Sequence, residues 1–123
     1  GFAARLCRGA GMSDAPASLL VPALIRQVNA AGGFATILHK GHEGGHALVL
    51  VHLPVQGEPG AYERVPSLGS GVASGTQWRL AARGGEAVDR FCERQKRFDP
   101  DLWILELMVA APERFIAGWP TDG

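Results

Sequence analysis

The segment HALVLVHL, residues 46–53, constrains the fold most, because it is apolar on both faces of a β-strand. One alternation carries Ala47, Val49, Val51 and Leu53, and the other carries Leu48 and Leu50. Successive side chains of a strand point to opposite faces of the sheet. We therefore expect this strand to lie inside a sheet that is covered at least partly on each side.

Two other segments have the apolar period of an amphipathic helix. In the first, residues 17–33, the apolar stripe consists of Leu20, Val21, Leu24, Ile25 and Val28. In the second, residues 84–98, one arc carries Val88, Phe91, Cys92 and Phe98. A glycine pair follows the first helix and predicts its C-terminal stop.

The remaining strands are predicted at FATIL (34–38), AYERV (61–65), TQWRLAA (76–82) and LWILELMVA (102–110). The glycine-rich HKGHEGG, residues 39–45, joins FATIL to HALVLVHL and predicts a hairpin. The order of elements predicts an α/β (α+β-like) fold. It is a single compact sandwich, with a mostly antiparallel sheet of about five strands and two main helices.

At 123 residues the chain is long enough for one domain. We expect a disordered extension over residues 1–13, the domain over 14–117 and a C-terminal tail over 118–123. PSLGSGVASG, residues 66–75, has the composition of a flexible loop. Trp119, in the tail, is predicted to lie on a surface that a partner can contact.

Charge and cysteine content exclude several classes of partner. Twelve basic and twelve acidic residues give a net charge of zero, which argues against the broad basic surface of a nucleic-acid binder. No apolar run approaches the roughly 20 residues that span a bilayer. Cys7 and Cys92 are too few for a disulfide framework. We expect a cytoplasmic protein that binds neither nucleic acid nor membrane.

The segment ERQKRFDPDLWILEL, residues 93–107, is charged in its first half and apolar in its second. On a helix, Glu86 precedes Arg90 by four residues and Glu93 precedes Arg97 by four, which favours two solvent-facing ion pairs. Pro100 ends the helix, because the residue before a proline is disfavoured in helical geometry. The segment therefore predicts a helix end, a turn and a central strand.

Two polar residues do not fit this arrangement. Gln95 falls within the apolar arc of the helix, and Glu106 interrupts the apolar strand. A groove where the helix crosses the strand would hold Arg94, Gln95 and Glu106 together as a ligand-binding site. The alternative is that Glu106 lies at a strand end or edge and reaches water there.

The same segment resembles the C-terminal signature of domain-of-unknown-function family 1491, which consists of small alphaproteobacterial proteins. Residues 97–103, Arg-Phe-Asp-Pro-Asp-Leu-Trp, are the most specific part, and AAGGFATILHKG, residues 30–41, resembles the N-terminal half. The resemblance covers roughly residues 18–107. It implies a bacterial cytosolic origin and a compact α/β sandwich, and it carries no established activity or catalytic residue.

His39, His42 and His46 cluster around the predicted hairpin turn. Imidazole is a common zinc ligand, so convergence of the three rings would form a metal site. The alternative is an exposed polar tip that picks up zinc or nickel only adventitiously. We predict no cofactor.

These observations favour a small binding domain without catalytic activity over an enzyme, and we assign no catalytic residue. Its expected partner is another protein or a second copy of the chain, bound through an exposed sheet edge, and the groove beside the second helix is the alternative binding surface. The alternative is a small ligand-binding protein or enzyme that uses Arg94, Gln95 and Glu106. A weak metal site at the three histidines is a further alternative.

Overall fold

The computed structural model describes residues 15–66 and 76–120. Within these ranges the elements are α1 (Ala17–Ala30), β1 (Phe34–His39), β2 (Leu48–Leu53), β3 (Gly60–Pro66), β4 (Thr76–Arg83), α2 (Gly85–Phe98), β5 (Trp103–Met108) and a single 3-10 turn (Pro112–Arg114). All the predicted helices and strands are present. The predicted N-terminal extension and nearly all of the predicted loop at 66–75 lie outside the described residues.

The described strands form one open sheet in the order β1-β5-β2-β3-β4. β5 runs parallel to β2, and the other three pairings are antiparallel. This α+β arrangement of two helices and a mostly antiparallel five-stranded sheet confirms the predicted fold class. The predicted hairpin is wrong, however, because β5 lies between β1 and β2.

The segment between β1 and β2 arches over the start of β5 instead of making a tight turn. The amide of His42 donates a hydrogen bond to the carbonyl of Asp101 at 3.0 Å, and the indole of Trp103 donates to the carbonyl of His42 at 3.0 Å. A Cβ at Gly41 would collide with the carbonyl oxygen of Asp101. Glycine is thus required where the arch crosses the backbone that leads into β5.

Each face of the sheet is covered by one helix. The larger cluster lies under α1 and is centred on Leu20, Leu24, Val28, Leu48, Leu50, Leu105 and Leu107. The smaller lies under α2 and contains Val49, Val51, Ala61, Val88, Phe91, Leu102 and Ile104. β2 and β5 contribute to both clusters, which confirms that the strand at residues 46–53 is buried on both faces.

The interpretation of Trp119 as a surface residue is wrong, because the side chain is only 8% exposed. Its ring lies 4.1 Å from the ring of Tyr62 and 6.4 Å from that of Trp78, measured between centroids. The amide of Trp78 donates a hydrogen bond of 3.1 Å to the carbonyl of Gly118. Aromatic packing therefore holds the segment after β5 against β3 and β4.

The charged residues of α2 face solvent, as expected. Arg90 pairs with Glu86 at 3.3 Å and both side chains are exposed, which confirms the first predicted pair. The second predicted pair, Glu93–Arg97, is wrong, because Glu93 pairs instead with Lys96 at 3.0 Å, three residues on, and Arg97 is exposed. Among the described helices, none has both the length and the hydropathy needed to cross a bilayer.

Replacing Leu105 with alanine tests the packing of β5. Leu105 is fully buried beneath α1, so Leu105→Ala is expected to lower the free energy of unfolding by about 2–5 kcal/mol. Met108→Ala, at the exposed end of the same strand, is the control and should cost about 1 kcal/mol or less. Urea denaturation measures both. Equal losses would contradict the buried central position of β5.

Candidate binding groove

A groove of about 260 Å³ opens beside α2, on the face of the sheet that this helix covers. It exists because α2 packs mainly over β3 and β4, so the part of that face formed by β1 and the end of β5 lacks a helix above it. Its apolar walls are Leu38, Val51, Leu53, Pro59, Val88 and Ile104. The polar groups that line it come from β5 and from one flank of α2.

Glu106 is the polar residue that β5 contributes to this groove. It stands between Thr36 of β1 and Val51 of β2 and is half-buried, so the alternative placement at a sheet edge or strand end is wrong. Its side chain makes no hydrogen bond or ion pair with any residue in the described part of the chain. Water that enters the open groove therefore solvates the carboxylate, and no cation from the described residues pairs with it.

The flank of α2 that faces Glu106 carries Asp89, Cys92, Glu93 and Lys96. Their spacing of three, four and seven residues places them on one side of the helix. Lys96 forms an ion pair with Glu93. The groove lining therefore contains one ammonium group and three carboxylates, those of Asp89, Glu93 and Glu106. The result is an apolar groove with an acidic rim, which attracts cations.

Cys92 is a free thiol in the wall of this groove. Burial raises the pKa of Cys92 above its ordinary value, and the negative charge of Asp89 raises the pKa further. The nearby Lys96 partly offsets both effects. The thiol therefore stays protonated near neutral pH, as expected of a packing residue rather than a nucleophile.

Of the three residues predicted to form a site, the structure brings Glu106 into the groove. Arg94 is exposed and lies about 160° around α2 from Lys96, on the far side of the helix. Gln95 is half-buried but is not among the residues that line the groove. Asp89 and Lys96 were not predicted from the sequence, although the helical period places both on the flank of the apolar arc and so could have indicated them.

The predicted histidine cluster is spread along the arch. The ring of His39 donates a hydrogen bond of 2.6 Å from Nδ1 to the carbonyl of Leu102, and the carbonyl of His46 accepts one of 3.0 Å from Arg64. Since β5 separates β1 from β2, His39 and His46 do not face each other across a hairpin. In residues 15–66 and 76–120, no three His, Cys, Asp or Glu side chains are placed to hold one metal ion. Metal binding at His39, His42 and His46 stays a prediction.

The chain matches the family model "Protein of unknown function (DUF1491)" over residues 16–117. This chain belongs to the DUF1491 family. The match spans α1 to the 3-10 turn and so includes both sides of the groove. Among curated proteins, none matches this chain.

Solved structures share the DUF1491 fold. A protein from A. tumefaciens, solved in solution, is 33% identical, with 76% of this chain and 85% of that one covered and a TM-score of 0.63. A DUF1491 crystal structure from Caulobacter crescentus is 24% identical, covers 80% and 92% and has a TM-score of 0.67. An NMR structure of a DUF1491 protein from the same organism is 22% identical, covers 86% and 96% and has a TM-score of 0.69.

The reactivity of Cys92 tests the electrostatics of the groove. Asp89→Asn removes a charge that raises the pKa of Cys92, so more thiolate forms at pH 8 and alkylation by iodoacetamide should be roughly twofold faster or more. Mass spectrometry of a Cys7→Ser protein isolates the reaction at Cys92. Glu86→Gln, on the same helix but paired with Arg90, is the control and should leave the rate unchanged. An unchanged rate in Asp89→Asn would contradict the placement of Asp89 beside Cys92.

Proposed function

We propose that this chain is a non-catalytic protein-binding domain that pairs an extended segment of its partner with the outer edge of β1. One observation carries the proposal: β1 is an edge strand whose exposed apolar side chains lie on both faces of the sheet. Strand addition to such an edge is a common mode of peptide recognition, with backbone hydrogen bonds giving affinity and side-chain pockets giving specificity.

The edge of β1 has the composition of a binding strand. Phe34 is 70% exposed, Ile37 is 42% exposed and Leu38 is 49% exposed. Residues 34–38 include no charged residue and no proline, which are the usual protection of an edge strand. A β-bulge interrupts the pairing with β5 only near His39, at the end of the strand. The rest of the edge is left as a regular template for a new strand.

β4, at the opposite end of the sheet, is protected. It carries Arg79 and Arg83, and charged side chains discourage pairing with another chain. The amide of Trp78 already donates to the carbonyl of Gly118, so the segment after β5 occupies part of this edge. The contrast between the two edges supports β1 as the binding edge.

The histidines with hydrogen-bonded rings support a binding role over a catalytic one. The ring of His39 donates to the carbonyl of Leu102, and the ring of His52 donates from Nε2 to the carbonyl of Val109 at 2.8 Å. Both rings therefore bridge backbone segments, which is a structural use of histidine. We also place the domain in the cytoplasm, where a reducing environment keeps a thiol such as Cys92 free.

Selection from a displayed library of random twelve-residue peptides tests the proposal. We expect enriched peptides to bind the native chain and to lose at least about tenfold in affinity for Ile37→Lys, because a lysine on β1 opposes strand addition. Leu80→Lys is the matched control and should keep native affinity, because Leu80 is an apolar residue of similar exposure on the protected edge strand. Failure to enrich any peptide, or equal binding by Ile37→Lys, would contradict the proposal.

A further inference from the structure

The groove beside α2 contains negative charge that no ion pair among residues 15–66 and 76–120 neutralises. Lys96 is the cation that lines it, and Lys96 is engaged with Glu93. Asp89 and Glu106 form no ion pair within the described residues. The groove is therefore complementary to a cationic group that also has an apolar stem.

The other cations of α2 do not supply this charge. Arg90 is paired with Glu86 on the solvent face. Arg94 and Arg97 are exposed and do not line the groove. A cation that reaches Glu106 therefore comes from outside the described chain.

The register of the sheet indicates which residue of an added strand would carry such a cation. Thr36 is directly paired with Glu106, and both side chains lie on the face that carries the groove. A residue of an added strand that sits opposite Thr36 on this face is two strand spacings, or about 10 Å, from the backbone of Glu106. Thr36 is short, so a long side chain can pass over it. Lysine and arginine have that length, and the planar guanidinium of arginine matches a carboxylate in two hydrogen bonds.

The neighbours of Thr36 define the rest of the sequence pattern. Phe34 shares its face because side chains alternate along a strand, and Leu38 shares it because its side chain lines the groove. The partner residues two positions before and after the basic residue would pack beside Phe34 and Leu38, both of which are substantially exposed. Resting on the strand addition proposed above, we infer that the groove binds a lysine or arginine of the added strand, within the pattern apolar-x-basic-x-apolar.

A second copy of the chain fits this site less well. Residues 34–38 contain no lysine or arginine to place opposite Thr36. Pairing two β1 strands would also bring together two grooves of the same negative charge, which opposes association. We therefore assign the site to a partner segment with a basic residue, and self-association is the other outcome of the test.

Two displayed libraries test this inference. Both have the pattern apolar-x-z-x-apolar within random flanks, with z fixed as arginine in one and as glutamate in the other. We expect enrichment from the arginine library alone, and a loss of about tenfold in affinity of its peptides for Glu106→Gln. Glu86→Gln, which removes a carboxylate away from the groove, is the control and should bind like the native chain. Melting temperatures confirm that each variant is folded.

The outcomes separate the inference from the proposed function. Equal enrichment from both libraries, or native peptide affinity in Glu106→Gln, would overturn the inference. Neither result bears on strand addition itself, which the affinity of Ile37→Lys for the enriched peptides tests separately. If neither library is enriched, an NMR titration with n-pentylguanidinium decides: perturbation of Glu106 and Cys92 that Glu106→Gln abolishes supports the groove as a cation site. No perturbation, the same perturbation by neutral n-pentylurea, or a dimer on sizing in place of peptide binding would overturn the inference.

Discussion

β5 requires hydrogen-bonded neighbours on both sides and also packs apolar side chains against both helices, and the position of β1 follows from these two needs. It pairs with β1 on one side and with β2 on the other. Leu105 and Leu107 pack beneath α1, while Ile104 packs beneath α2. Because buried backbone groups must be hydrogen-bonded, β5 lies between β1 and β2 and replaces the direct pairing that these two strands would otherwise make. β1 is thereby moved to the edge of the sheet.

This displacement creates the two features that the proposed function uses. First, β1 is an edge strand without charged residues, so its backbone can pair with another chain. Second, β1 lies beyond the part of the sheet that α2 covers. Glu106 follows the fully buried Leu105 on β5, yet it faces the uncovered part of the sheet and keeps contact with water. Its carboxylate is tolerated because the groove is open, and the open groove lies beside the edge at which a partner strand would add.

Local patterns were sufficient to predict the elements but not their neighbours. The apolar periods of α1, α2, β2 and β5 depend only on nearby residues, so their positions, the end of α2 and the Glu86–Arg90 pair were predictable. The order of strands was not, because the hairpin at HKGHEGG competes with a longer-range pairing that satisfies both edges of β5. Trp119 was misplaced for the same reason, since its aromatic neighbours Tyr62 and Trp78 are distant in sequence. Glu106 was singled out correctly as an anomaly, but its groove partners depended on which end of the sheet α2 leaves uncovered.

Native-state amide hydrogen exchange tests most directly whether β5 is interior and β1 is an open edge. The account predicts that β5 amides exchange only with global unfolding. Along β1, slow amides that face β5 should alternate with fast amides that face outward. The amide of Trp78, on the protected edge, should be slow. Uniform protection along β1 in the monomer, or β5 amides that exchange as fast as the outward amides of β1, would contradict the account.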